Sequence, residues 1–216
     1  MTNSDGYYNK EYFDWQKHVG AFGGRANLMK FQDFIRPSDR VVDFGCGGGF
    51  LLSNVSAAEK VGIEINPHAR EAAVANGLTV YSDLRDVPDD WADVIISNHA
   101  LEHTENPLTL VRLMLKKLKL GGLCVLVVPS EGPSISFCAD DVNQHLYTWS
   151  PQNLGNLFAY AGFEVLESKL FRHKWPRNYT NIVKSMGWRY FHWRCKLEAR
   201  LHPQNGQSRV IAKRSA

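Results

Sequence analysis

This 216-residue sequence predicts an α/β fold around a mostly parallel sheet, on three observations. Val41-Val42-Asp43-Phe44-Gly45-Cys46-Gly47-Gly48-Gly49 is an apolar run ending in an acid and three alternating glycines, the pattern of a nucleotide-binding turn after a buried strand. One β-α-β step later, Lys60-Val61-Gly62-Ile63-Glu64-Ile65-Asn66 is a second strand with an acid near its tip. Leu123 to Val128 is continuously apolar and β-branched, as strands covered on both faces are.

The elements follow in order. Tyr7 to Arg36 carries Tyr7, Tyr8, Tyr12, Phe13, Trp15, Phe22, Phe31 and Phe34 and reads as a helical cap over the ligand mouth, ended by Pro37-Ser38-Asp39. The Gly20-Ala21-Phe22-Gly23-Gly24-Arg25 stretch inside it reads as a hinge. Phe50 to Ala58 is expected to be a helix. Pro67 to Asn76 is another, with Pro at its start and Gly77 just beyond its end. Thr79 to Ser82 is the third strand and Asp93 to Ser97 the fourth, backed by a helix from Pro107 to Lys119 that Gly121-Gly122 closes. Ser130 to Asn143 reads as a long irregular loop, the kind that carries substrate. Ser150 caps a helix that runs from Pro151 to Ala161, Gly162 to Leu166 begins the sixth strand, and Ser208 to Lys213 is the seventh. Residues 1–37 are thus the cap, 38–170 the core, 171–207 an insertion and 208–216 the last strand of one domain.

In the insertion, Met186, Tyr190, Trp193, Leu197 and Leu201 recur at helical spacing, with Arg189, Lys196 and Arg200 elsewhere on the wheel. Such a stripe is expected to dock on the sheet edge as core. The competing reading is a membrane-surface or acceptor-docking element.

The glycine turn discriminates between ligands. A nicotinamide site needs G-x-G-x-x-G, and counting from Gly45 places Phe50 at the third glycine. A cofactor with a sulfonium and an amino-acid end needs an acceptor such as Asp43, which points to S-adenosylmethionine. Glu64 stands where ribose hydroxyls are held. With these residues the chain resembles the class I S-adenosylmethionine-dependent methyltransferases. The resemblance continues through Val80-Tyr81-Ser82-Asp83, Trp91-Ala92-Asp93-Val94-Ile95-Ile96-Ser97-Asn98 and Leu118-Lys119-Leu120-Gly121-Gly122-Leu123. The nearest likeness is to the bacterial small-molecule branch with Leu-Glu-His after the fourth strand. The resemblance implies a Rossmann-like, seven-stranded mixed sheet whose last strand is antiparallel. It also implies cofactor contacts at Asp43, Gly45, Gly47, Gly49, Glu64, Ile65, Asp83, Leu84 and Asn98, with Asp83 at the adenine amino group. Arg25 is a further candidate, for the cofactor carboxylate.

Composition agrees with one α/β domain: 44% hydrophobic content can bury a core without staples. Four scattered cysteines without a C-x-x-C pair suit reduced thiols, and the polar N-terminus has no basic-then-apolar signal, so a cytoplasmic location is expected. Residues 168–216 carry twelve Lys/Arg against one acid, +11, leaving −8 for residues 1–167. That asymmetry suits an anionic partner: a small anionic acceptor, a phospholipid surface or an RNA.

The chemistry is expected at the carboxyl ends of the strands. Asn98-His99-Ala100-Leu101-Glu102-His103 follows the fourth strand, and a helical turn there would bring His99, Glu102 and His103 to one side. By resemblance, ubiquinone-pathway O-methyltransferases and 2′-O-methyltransferases of small RNA hold a metal with E-x-x-E-H at this place, where this chain has His99 for the first Glu. With His145 as a fourth ligand, His99, Glu102 and His103 would form an imidazole-rich set suited to zinc, iron or nickel, although a divalent metal is not the favoured reading. The favoured one makes His145 or His103 a general base, because a hydroxyl acceptor must lose its proton when an in-line displacement moves the methyl group. The sequence thus predicts methyl transfer to oxygen of a small anionic acceptor. RNA ribose methylation with a metal-assisted site is one alternative, and an inactive cofactor-binding partner or sensor is another. Oligomeric state is left open.

Overall fold

The computed structural model describes residues 10–132, 136–202 and 205–215, with side chains from residue 19 onward except that of Asn205. Tyr7 and Tyr8 of the expected cap lie outside the described residues, as do the side chains of Tyr12, Phe13 and Trp15.

The elements are α1 (Lys10–Asn27), β1 (Arg40–Phe44), β2 (Glu59–Ile63), α2 (Pro67–Ala75), β3 (Thr79–Tyr81), β4 (Ala92–Asn98), α3 (Pro107–Lys117), β5 (Leu118–Glu131), α4 (Pro151–Ala161), β6 (Glu164–Phe171), α5 (Tyr179–Leu201) and β7 (Asn205–Lys213). They build one seven-stranded sheet in the order β3-β2-β1-β4-β5-β7-β6. β1 pairs in parallel with β2 and β4, Val42 standing between Val61 and Ile95, while β7 runs antiparallel to both β5 and β6. The chain winds outward from β1 to β3 and then returns to β4 on the other side. Such a reversal opens a crevice at the carboxyl ends of β1 and β4. Two apolar clusters, one around Val42, Ile95, Leu126 and Phe158 and one around Val41, Ile96, Val125 and Ile211, cover the two faces.

The helix signals act as read except at Gly121-Gly122, expected to close the helix after Lys119: α3 ends at Lys117, the chain enters β5 directly at Leu118, and both glycines lie within that strand. The Asn66 side chain accepts from His68 N at 3.0 Å ahead of Pro67, Ser150 accepts from Asn153 N at 3.1 Å ahead of Pro151, and Gly162 ends α4 at φ 105°. β5 is longer than expected, and Glu131 replaces the start of the predicted loop because β7, beginning at 205 rather than 208, pairs with it to its end. Among the described residues no helix is long and apolar enough to cross a membrane.

Three expectations fail. The helix from Phe50 to Ala58 is only a 3-10 turn, Leu52–Asn54. Ser53 N makes one helical bond, to Gly49 O at 2.9 Å, but Asn54 N and Val55 N turn to Leu51 O and Leu52 O three residues back, while the Asn54 side chain donates to Phe50 O at 2.8 Å. Nor is Gly20 to Arg25 a hinge: α1 runs straight through it. A Cβ on Gly20 would lie 2.3 Å from the Phe50 ring, and one on Gly24 would lie 2.2 Å from the Phe50 carbonyl oxygen, so these glycines allow the cap to touch the chain after the glycine turn. Finally, α5 does not bury the stripe of Met186, Tyr190, Trp193, Leu197 and Leu201. It packs on α1 through Phe191, Cys195 and Ala199, against Phe22, Ala26 and Trp175. Gly187, at φ 76°, breaks the helix and resets its phase, and the aromatic cluster on the inner side decides which face turns in.

The glycines of α1 separate two effects. Alanine favours a helix interior by about 1 kcal/mol over glycine. A Cβ on Gly23 would make only ordinary contact, 3.4 Å from Trp175, so Gly23→Ala should leave the melting temperature unchanged or raise it. Gly24→Ala should lower stability by about 1–3 kcal/mol, because a backbone carbonyl cannot step aside. Thermal unfolding of the two variants checks this; equal melting temperatures would refute the close-approach account.

Candidate active site

The glycine turn joins β1 to the exit of β2 through one carboxylate. Gly45 and Cys46 donate to Ile63 O at 2.8 and 3.0 Å. Glu64 accepts from Gly47 N through one oxygen and from Asn66 N through the other, each at 2.8 Å. Burial pushes the Glu64 carboxyl up, and those backbone donors oppose it. Gly45, Gly47 and Gly49 all have positive φ. At Gly45 and Gly49 the glycine also clears protein rather than ligand: added Cβ atoms would lie 2.3 Å from Ala100 Cβ and from Leu78 Cδ1.

Asp43, at the end of β1, is buried, and its Oδ2 has no hydrogen-bond partner among the described residues. Burial first, and the Glu64 charge second, push its pKa up to about 8. A buried carboxylate oxygen left without a donor is costly. An ammonium arriving there would satisfy it.

In front of the turn lies a cavity of about 640 Å³. Gly45, Glu64, Ile65, Asp83 and Leu84 line one part of it and His99, Ala100, His103 and Thr104 another. Asp83 also caps the turn Leu84–Asp86, accepting from Arg85 N at 2.8 Å, and the Arg85 side chain holds its carboxyl below the usual range. Gly47 and Gly49 are not among the lining residues. Neither is Arg25, whose guanidinium stacks 5.1 Å from the Trp188 ring.

The second carboxylate centre is Glu102. His99 leaves β4 in the left-handed region at φ 59°, with its N–H held by Val127 O at 2.9 Å, and the 3-10 turn Leu101–His103 follows. The helical turn expected to start at His99 is therefore a kink plus a single short turn, and the kink brings the side chains together. Glu102 is fully buried, and neither of its carboxylate oxygens has a hydrogen-bond partner among the described residues. Its Oε1 lies 3.3 Å from His99 Nδ1 and 4.0 Å from both His103 Nε2 and His145 Nε2. The loop carrying His145 is fastened to the same residue, Leu146 N and Tyr147 N donating to Glu102 O at 3.0 and 3.2 Å.

Both histidines have a partner behind them. His145 Nδ1 is 2.7 Å from Glu131 Oε1 at the tip of β5, which orients Nε2 toward Glu102. The His103 imidazole is hydrogen-bonded to the backbone of Gln144, and burial moves its pKa down. The two rings stand 5.1 Å apart.

All four residues read from the sequence as one cluster thus converge. Sequence reading missed Glu131, although an acid at a strand tip was the signal already used for Asp43 and Glu64. It also missed Lys30, which looks like a surface residue of the cap. Lys30 is 2% exposed and donates to Asn98 Oδ1 and Gln207 Oε1, both at 2.8 Å. Burial lowers its pKa to about 7 against the opposing pull of Glu102. Asn98 is held by the cap in this way and does not line the cavity.

Donor atoms of Glu102, His103 and His145 all lie within 4.8 Å of one another. Ligand bonds of roughly 2.0–2.2 Å, as zinc makes to nitrogen and oxygen, can span such a set with small adjustments. A carboxylate behind a ligating imidazole, as Glu131 stands behind His145, is the usual support of a metal ligand. The residues fit a divalent transition metal.

Comparison with known proteins places this geometry. Residues 20–168 match the methyltransferase domain family. Curated relatives include the ribosomal protein L11 methyltransferases of Ralstonia pickettii, 30% identical over 111 residues, and Burkholderia vietnamiensis, 37% identical over 111 residues. Each alignment takes in 47% of this chain and 36% of the relative, so the chain spans about a third of the length of the curated relatives it matches. A SAM-dependent methyltransferase from Archaeoglobus fulgidus superposes with a TM-score of 0.69 at 22% identity, covering 95% of this chain and 100% of the other. An S-adenosylmethionine-dependent methyltransferase from Mesorhizobium loti gives 0.60 at 19% identity, covering 90% and 98%. The chain belongs to the methyltransferase domain family, with the class I fold of the S-adenosylmethionine-dependent methyltransferases.

Proposed function

We propose that this protein transfers the methyl group of S-adenosylmethionine to a hydroxyl oxygen of a small acceptor. In this reading Asp43 takes the cofactor's ammonium, Glu64 the ribose hydroxyls, Ile65 and Leu84 flank the adenine, and Asp83 accepts from its amino group. Gly45, Gly47 and Gly49 shape the turn beneath. The observation that carries the oxygen acceptor is the pairing of His103, which lines the cavity and whose pKa burial lowers, with His145, whose ring stands 5.1 Å away and is oriented by Glu131. The sulfonium carbon–sulfur bond breaks as the oxygen–carbon bond forms, and the hydroxyl proton passes to an imidazole. Arg85 is the lysine or arginine that lines the cavity, and the basic residues on the outer side of α5 do not. The proposed acceptor is a small hydroxyl compound, with the anionic character that the charge asymmetry of the sequence suits.

A metal-assisted version of the same reaction is favoured by one observation, the orphaned Glu102 carboxylate among imidazole nitrogens. Glu102, His103 and His145 would hold the ion, with His99 beside them, and a bound cation would lower the pKa of the acceptor hydroxyl. The nitrogen-rich donors favour zinc, iron or nickel over magnesium.

Two experiments test these assignments. Asp43 has a folded pKa above its ordinary value of 3.8, so its contribution to folding is full only below that value and is lost as pH rises toward about 8. Asp43→Asn should therefore raise the melting temperature of the ligand-free protein at pH 8. It should also weaken S-adenosylmethionine binding by roughly tenfold or more, through loss of a charge-assisted bond. Calorimetry finding an unaltered affinity would remove Asp43 from the cofactor site.

For the histidines, His145→Gln or His103→Gln should lower turnover by roughly 10²–10⁴ with cofactor affinity nearly unchanged. If His103 is the base, its depressed pKa puts the acid limb of the rate profile below the ordinary imidazole value of 6.5. If the site is metal-assisted, the purified protein should contain transition metal in near-equal amount and chelation should stop turnover. Metal-free protein that keeps its turnover in both variants would discard base and metal alike and indicate an acceptor already nucleophilic, such as an unprotonated amine.

A further inference from the structure

We propose that the outer face of α5 docks on an anionic lipid bilayer. Beyond the break at Gly187, Phe191, Cys195 and Ala199 face inward and are buried. At 100° per residue the opposite face carries Tyr190, Trp193, Leu197 and Leu201. Trp193 is 55% exposed and Leu201 64%, and the Tyr190 and Trp193 rings lie together at 5.4 Å. Exposed Arg189, Lys196 and Arg200 border this strip on one side. Glu198, the sole acid of residues 168–216, is turned to the other border, where it pairs with Arg194 at 3.9 Å and His202 at 3.4 Å.

An isolated exposed leucine needs no explanation, but a continuous aromatic and aliphatic strip rimmed by cations does. Its make-up selects the occupant. Tryptophan and tyrosine combine an apolar body with a polar tip and settle at the headgroup level, and leucines reach the acyl boundary beneath. Arginine and lysine at the border meet anionic headgroups. A nucleic acid would answer the cations but leave Leu197 and Leu201 in water. A second copy of this chain, paired face to face, would set Arg189, Lys196 and Arg200 against themselves. The inference does not depend on the reaction catalysed.

Co-sedimentation of the full chain with vesicles tests it. The protein should pellet with equal parts phosphatidylglycerol and phosphatidylcholine, stay in solution with phosphatidylcholine alone, and be released by high salt. Reversing Arg189, Lys196 and Arg200 to Glu should weaken binding by roughly a hundredfold. Trp193→Ser with Leu197→Ser should weaken it with little change in its salt dependence. Reversing Arg36, Arg112 and Lys116, exposed elsewhere with the same change in net charge, should leave binding intact. All these positions except half-buried Leu197 are exposed, and melting curves confirm folding. No pelleting with the anionic vesicles, equal losses from both charge reversals, or face variants that bind vesicles normally while losing RNA binding or self-association would each overturn the proposal.

Discussion

A carboxylate buried without a hydrogen bond, that of Glu102, is the constraint around which the active-site side of the molecule is arranged. Taking such a group out of water costs several kcal/mol unless a cation or a set of donors compensates it. The fold brings candidates from several directions: His99 at the kink after β4, His103 on the same turn, His145 from the loop after β5, and Lys30 from the cap. The backbone carbonyl of Glu102 fastens that loop as well. Losing the side chain would remove the charge that opposes the lowered pKa of Lys30 and the carboxylate that His99 approaches at 3.3 Å.

From this centre a polar path runs outward. Lys30 joins Asn98 at the tip of β4 to Gln207 on β7; Gln207 Nε2 donates to His173 O at 3.4 Å, and the His173 ring meets His192 of α5 at 3.1 Å. Burial lowers the pKa of His173 to about 3, with Lys30 the next cause, so that ring is neutral across the physiological range. The cap, the last strand and α5 thus meet through a chain of side-chain and backbone hydrogen bonds.

Most of the sheet was legible because its signals are local. The glycine run of residues 45–49 and the Pro and Gly that bracket α2 are contiguous patterns readable in place, although Glu64 and Gly45 then find their partners across the β1–β2 step. What escaped depends on partners far away in sequence. Gly20 and Gly24 look like a hinge until Phe50 is seen against them; the Ser53 and Asn54 side-chain bonds near the expected helix are the local exception, each reaching back four residues. The apolar stripe of α5 has the right spacing for a core face, yet the inner side is won by Phe191 among Phe22, Trp175 and Trp188. Lys30 had no signal at all. The His99, Glu102 and His103 grouping was read correctly, but from a helical periodicity that the backbone does not follow.

The two orphaned acids lie at the end of β1 and on the turn after β4, the two strands that flank the crevice. Asp43 lies behind the cofactor turn and Glu102 behind the acceptor wall, and neither has a hydrogen-bond partner at the oxygens concerned among the described residues. A sequence selected for stability alone would replace them, since an apolar or amide side chain carries no charge to desolvate. Their presence means that part of the folding free energy is withheld until ligands arrive, and whatever binds the folded state alone returns it by mass action. The ligand-free domain should be least stable where Asp43 is ionised, as pH rises toward about 8. In the proposed site the cofactor's ammonium relieves Asp43, and a cation among the imidazoles would relieve Glu102. That separation lets the two halves of the site be filled in sequence, each step stabilising its own wall.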